Sequence, residues 1–200
     1  MIKVGITGGI GAGKSFVCSI FERLGYPVFY SDEAAKNIID SDVEVQLQFE
    51  QLFGNHIFIA KQLDRTLLAS IIFNDKEALE KINSIVHPKV RKAFDVWSEQ
   101  QKSEIVFNEA AVLFETGAYK KFDSTILVTA PNDLKISRVR NRDRVSADEI
   151  QRRMDNQWTD EQKGKLANFI LLNDEQTPLI RQIEEVISRI ALNDLEQKQN

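Results

Sequence analysis

The 200-residue chain has one cysteine, no long apolar run and no excess of positive charge. A lone Cys18 excludes a disulfide framework and a thiolate cluster for structural zinc, and it suits a reducing compartment. The longest apolar runs, such as 110–114 and 169–172, fall far short of the roughly 20 residues that cross a bilayer. The N-terminus, MIKVGITGGIGAGKS, lacks the uninterrupted apolar stretch of a secretory signal. With 26 basic against 30 acidic side chains the net charge is −4, which argues against a nucleic-acid footprint. No repeat is visible and no composition shift marks a linker. The expectation is a soluble, cytoplasmic, monomeric protein with neither nucleic acid nor membrane as partner.

What is present is a 42% apolar composition and an uneven distribution of arginine. Six of the eleven arginines fall between Arg138 and Arg153, either to serve one anionic ligand or to line a solvated helix. Five compact runs of β-branched and aromatic residues, 2–7, 28–30, 105–108, 125–129 and 169–172, read as strands buried on both faces. Helical patterns lie between them. Phe16, Val17, Ile20, Phe21 and Leu24 make one stripe, ended by Gly25 and Pro27. Ala34, Ala35, Ile38 and Ile39 follow Asp32, a candidate N-cap. Ile180, Ile183, Val186, Ile187 and Ile190 form a further apolar face, and the tail 193–200 is expected to fray.

Strands alternating with helices predict an α/β fold with a parallel sheet and right-handed crossovers. We expect one core, about 1–32, 104–131 and 167–192, with two helical elaborations. Residues 33–103 carry several helices and no evident strand, and residues 132–166 are helical and arginine-rich.

Gly8-Gly9-Ile10-Gly11-Ala12-Gly13-Lys14-Ser15 matches the phosphate-loop pattern G-x-x-x-x-G-K-[ST] in full. Glycine permits the positive φ values and close approach of a chain that wraps a phosphate. The inward N–H groups form an anion nest, and the following helix brings its positive dipole end to the same place. In such a cradle Lys14 reaches the β- and γ-phosphates and the Ser15 hydroxyl binds Mg²⁺. A strand runs in and an amphipathic helix runs out, which is the context the pattern requires.

The loop identifies a nucleoside triphosphate but not the reaction. A guanine-specific switch needs a base-reading N/T-K-x-D, and none follows the fourth strand. A motor needs an apolar strand ending in aspartate, which the run ending Asn108-Glu109 fits poorly. A kinase needs a group to take the acceptor's proton and cations to cover the transferring phosphoryl. Asp32, just past the second strand, can be that base or a helix cap. Arg138 and Arg142, four apart, share a helix face and with Lys14 supply the cations. Arg140 and Arg144 lie off that face and read as solvated charge. A nucleotide-dependent binding module without phosphoryl transfer, or a kinase for another nucleoside, stays open at this point.

These residues together resemble the dephospho-CoA kinases, P-loop enzymes related to the nucleoside-monophosphate kinases, over roughly residues 2 to 174. The resemblance is carried in order by Gly5–Ser15, by Tyr30-Ser31-Asp32, and by Leu63-Asp64-Arg65, Ile72-Phe73 and Val86-His87-Pro88. Leu113-Phe114-Glu115, Arg138, Arg142-Asp143, Gln157 and the stretch 167–173 continue it. It implies a three-layer fold with a five-stranded parallel sheet, a helical acceptor-side insert and a lid. It also implies ATP and Mg²⁺ as cofactors and the ribose 3′-hydroxyl of dephospho-coenzyme A as acceptor. Carried over residue by residue, Asp32 is the general base, while Lys14, Arg138 and Arg142 serve the phosphoryl group. The nucleotide is held by Gly9, Gly11, Ala12, Gly13, Lys14, Ser15, Phe16 and Asn173, with Ser15 on the metal. Thr7, Asp32, Arg65 and His87 belong to the acceptor, although His87 beside Pro88 equally suits a helix start.

Four places in the chain depart from the family's pattern. Tyr30 replaces the first aspartate of Asp-Ala-Asp, Phe16 a common threonine, Ala111-Val112-Leu113 the usual Pro-Leu-Leu, and Ala167-Asn168 the usual Ala-Asp. Phe16 reads as core packing in the helix stripe. None removes a group that the mechanism needs.

Overall fold

A computed structural model describes residues 1–59, 62–72 and 75–199. Five strands, β1 (Ile2–Gly8), β2 (Val28–Tyr30), β5 (Ile105–Glu109), β6 (Ser124–Thr129) and β7 (Phe169–Leu172), form one parallel sheet in the order β2-β5-β1-β6-β7. β1 is central and covered on both faces: Val4 and Ile6 are fully buried on one and Thr7 on the other, and Val106 on β5 and Ile126 and Val128 on β6 are fully buried beside it. Its register aligns Ile6 with Glu109 and Thr7 with Leu127. Every expected strand is present. β7 is the exception to burial on both faces, since Ile170 and Leu172 are exposed on this edge strand while Phe169 and Leu171 are buried.

The chain forms two compact units, Met1–Phe29 with Gln101–Asn200, and Tyr30–Gln100. In the first, α1 (Lys14–Arg23) buries Val17, Cys18 and Phe21. Phe21 packs its ring 4.1 Å from that of Phe107. The expected stripe is therefore turned: Phe16 is 59% exposed and Leu24 also faces solvent, so Phe16 is not core packing. Cys18, not Phe16, completes the i, i+1, i+4 set.

Three helices follow β6: α6 (Asn132–Asp143), α7 (Ala147–Asp155) and α8 (Asp160–Gly164). Ser146 caps α7, and Thr159 with Gln162 makes a capping box for α8. α9 (Leu179–Gln199) buries Ile183, Val186 and Ile190, but Ile180 is exposed. The helix continues through the stretch expected to fray; the last tail residue, Asn200, lies outside the described residues.

In the second unit, α2 (Ser31–Ser41), α3 (Val43–Phe53) and α4 (Arg65–Ile72) pack with the long α5 (Lys76–Glu99). This unit is not strandless. β3 (Phe58–Ile59) and β4 (Gln62–Leu63) pair antiparallel, two residues each and too short to show a period. Pro88 stands inside α5, so His87 and Pro88 do not mark a helix start. Of the family pair Ile72-Phe73, Ile72 ends α4 and Phe73 lies outside the described residues.

One buried charge pair ties the loop after β5 to α8. Lys163 is fully buried, its Nζ 2.9 Å from Glu115 Oε1. The same carboxylate oxygen accepts the Trp158 N–H at 3.1 Å. Removing one member leaves the other charge uncompensated in the interior. Lys163→Met is expected to cost about 3–5 kcal/mol in chemical denaturation. The double variant Lys163→Met/Glu115→Leu is expected to recover part of that loss, and a double variant no better than the single one would contradict this account.

Candidate active site

The loop between β1 and α1 turns on two glycines held left-handed, Gly11 (φ 77°) and Gly13 (φ 89°). Sterics from outside the loop make the same demand. A Cβ on Gly11 would stand 2.4 Å from the Lys135 carbonyl oxygen, and one on Gly13 2.2 Å from Asn173 Nδ2. Neither distance is tolerable for a side chain. The loop thus delivers the N-terminus of α1, with Lys14 and the exposed Ser15 in its first turn.

Lys14 folds back over the loop. Its Nζ donates to the Gly8 carbonyl at 3.1 Å and lies 3.8 Å from Glu109 Oε1. Glu109 ends β5, opposite Ile6, and is buried. Sequence reasoning passed over Glu109 because it departs from the aspartate a motor would show. The signal that finds it is an acidic residue ending a buried strand next to the phosphate-loop strand.

Arg138 on α6 is brought to the loop. Its Nη1 donates to the carbonyls of Gly11 and Ala12 at 3.4 and 3.5 Å, and its Nη2 to the Asn173 carbonyl at 3.0 Å. Nε and Nη2 also bond Glu175 Oε1 at 3.2 and 2.9 Å. Buried Asn173 closes the same junction, donating from Nδ2 to the Ala12 carbonyl at 2.9 Å.

Arg142 is not brought there. It forks onto its neighbour Asp143 at 2.7 and 3.1 Å, with an exposed side chain. That contact, aided by Arg153, holds the Asp143 carboxyl below its ordinary range. Arg153 pairs with Asp143 and Glu149, and Arg140 and Arg144 are exposed, as expected of solvated charge.

The other end of the loop meets the segment between α7 and α8. Ile10 N–H donates to Gln157 Oε1 at 3.0 Å. Buried Lys135 pairs with Asp160, and a Cβ on Gly9 would lie 3.3 Å from Asp160 Oδ1. Thr7 is buried and its hydroxyl donates to the Ala111 carbonyl at 3.3 Å. Cys18 is buried on the inner side of α1, one turn past Lys14, and desolvation pushes its thiol far above the ordinary range.

Among the described residues no group of three or more His, Cys, Asp or Glu side chains is placed to hold a metal ion. The donors beside Lys14, the Ser15 hydroxyl and the Glu109 carboxylate, are hard oxygens. They fit a magnesium ion that takes its remaining ligands from phosphate and water.

In the second unit Asp32 is exposed in the first turn of α2. The helix starts at Ser31 behind Tyr30, and no side chain caps it, so Asp32 is not the N-cap. Asp64 caps α4 by accepting from Thr66 and Leu67 N–H. Arg65 pairs with Asp40 at 2.7 Å. His87 is half-buried in α5, where burial and then the nearby Arg91 push its pKa down.

Comparison with known proteins places this geometry in a family. The family model for dephospho-CoA kinase matches residues 2–178. A dephospho-CoA kinase of Bacteroides fragilis is 38% identical over 188 residues, covering 94% of this chain and 92% of the relative. A solved Thermus thermophilus protein superposes with a TM-score of 0.82 at 32% identity, over 96% of this chain and 97% of that one. The dephospho-CoA kinase of Campylobacter jejuni superposes with a TM-score of 0.66 at 28% identity, over 96% of this chain and 98% of its own. A phosphate loop with these flanks, a five-stranded parallel sheet and likeness over nearly the whole length lead to one conclusion: the chain belongs to the dephospho-CoA kinase family.

Proposed function

We propose that the protein transfers the γ-phosphoryl group of ATP to the ribose 3′-hydroxyl of dephospho-coenzyme A, giving coenzyme A and ADP in the last step of coenzyme A synthesis. The observation that carries this reading is the phosphate cradle, with left-handed Gly11 and Gly13 and Lys14 folded over the turn beside Glu109. The acceptor is assigned through the family, whose model spans residues 2–178. A single, free cysteine suits a cytoplasmic enzyme.

In the proposed reaction the 3′-hydroxyl oxygen forms a bond to the γ-phosphorus as the bond to the β–γ bridging oxygen breaks. The hydroxyl proton passes to the Asp32 carboxylate and ADP carries away the bridging oxygen. The backbone N–H groups from Gly11 to Ser15, with the dipole of α1, hold the phosphates in place. Lys14 leaves the Gly8 carbonyl for the β- and γ-phosphate oxygens. Magnesium, held by Ser15 with Glu109 nearby, would neutralise charge on the β- and γ-phosphates. Arg138, anchored on the Gly11 and Ala12 carbonyls, brings a permanent cation to the transferring group. Arg142 joins it only by giving up Asp143. Asn173 places its loop near the adenine, and the exposed Phe16 is available to the nucleotide. Thr7, Arg65 and His87 are assigned to the acceptor side.

The direct test incubates the protein with Mg-ATP and dephospho-coenzyme A and follows coenzyme A and ADP by chromatography. Stoichiometric appearance of both is expected, and turnover on a plain nucleoside instead would reject the acceptor. Two substitutions separate the roles. Asp32→Asn is expected to lower kcat by about 10²–10⁴-fold with little change in ATP affinity, the pattern of a lost base. Equal loss of both would give Asp32 a structural role. Lys14→Ala is expected to weaken ATP binding and turnover together.

A further inference from the structure

Gln157 meets the phosphate loop through one end of its amide only. Ile10 N–H can donate but not accept, so the 3.0 Å contact identifies the bonded end as Oε1. The Nε2 amino group, with two donors, is the other end of the amide, and among the described residues no acceptor engages it.

The segment that carries the side chain is braced on both sides of the Ile10 contact. The next residue, Trp158, donates its N–H to Glu115, and the buried Lys163 grips the same carboxylate. Asp160 is held by Lys135 against Gly9, where a Cβ would also lie 3.9 Å from Gln157 Oε1. A glutamine so fixed is a pre-set donor rather than a mobile surface amide.

The two ends of the loop are distinct. Asn173 and Arg138 meet it at Ala12, on the helix side. Gln157 meets it at Ile10, on the strand side, where the Lys14 ammonium also sits against the Gly8 carbonyl. Because the lysine of a phosphate loop reaches the β- and γ-phosphates, the Lys14 side of the loop is where the last phosphate of a bound nucleotide would lie.

We propose that Gln157 donates an Nε2 hydrogen to the terminal phosphoryl group of the bound nucleoside triphosphate, positioning it for transfer. This rests on the nucleotide-dependent transfer proposed above but not on the identity of the acceptor. The donor is neutral and adds direction to charge that Lys14 and Arg138 supply. In transfer it sits on an equatorial oxygen as charge spreads over the three.

Gln157→Glu is the informative variant, because it keeps an oxygen for Ile10 N–H and turns the donor into a second, negatively charged acceptor. Calorimetry with Mg-ADP and with the non-hydrolysable analogue Mg-AMP-PNP reads the terminal phosphate separately from the rest of the nucleotide. ADP affinity is expected within about twofold of wild type, with the analogue weakened about tenfold or more and kcat reduced about 10²-fold. Equal weakening of ADP and analogue, or no change in either, overturns the proposal. Should this variant melt far below wild type, Gln157→Met, of similar length but without donor or acceptor, takes its place. Selective loss of the analogue again supports the proposal, and parallel loss makes Gln157 a mere brace. Selective loss of the analogue in the variant, with no coenzyme A made by the wild type, would reject the acceptor while leaving Gln157's role intact.

Discussion

A single turn of backbone, left-handed at Gly11 and Gly13, sets the terms for everything built around it. The turn is closed from outside as much as from within. The Lys135 carbonyl and the Asn173 amide occupy the volume where side chains would stand. A backbone this exposed in its hydrogen-bonding groups needs partners, and it finds them at Arg138, Asn173 and Gln157. The position of β1 between β5 and β6 then follows, because only a central strand can present the loop with support on both sides.

Charge is sorted around the turn by burial. Arg138 meets carbonyl oxygens of the loop, Lys135 meets Asp160, and Lys163 meets Glu115, each with much or all of the cation out of water. The remaining arginines of the cluster face solvent, and of these Arg142 and Arg153 bond to Asp143 and Glu149 on or beside their own helices. Such exposed pairs contribute little to stability, because water and salt screen them. The buried pairs determine which segments move together, since separating one strands a charge.

The sheet and the phosphate loop were legible in the amino acids because their signals are local. Five apolar runs became five strands, and the glycine spacing announced the cradle. Features that depend on distant partners were not legible. Glu109 gains its place from a register with Ile6 more than 100 residues away in the chain. Gln157 was visible only as a family residue, and its bond to Ile10 exists because α7 and α8 return to the loop. The i, i+4 pattern could not say which side of α1 faces the sheet, so Phe16 and Cys18 exchanged roles. Likewise Arg138 and Arg142 share a helical spacing, but the loop receives one while a neighbouring aspartate takes the other.

The placement of the only sulfhydryl has a chemical consequence for an enzyme of this family. The proposed acceptor and product both end in a thiol. Thiol–disulfide exchange needs an accessible thiolate. Cys18 is buried among the side chains that support the phosphate loop, and burial keeps its proton on. The protein therefore meets a thiol-bearing ligand with no accessible thiolate for exchange.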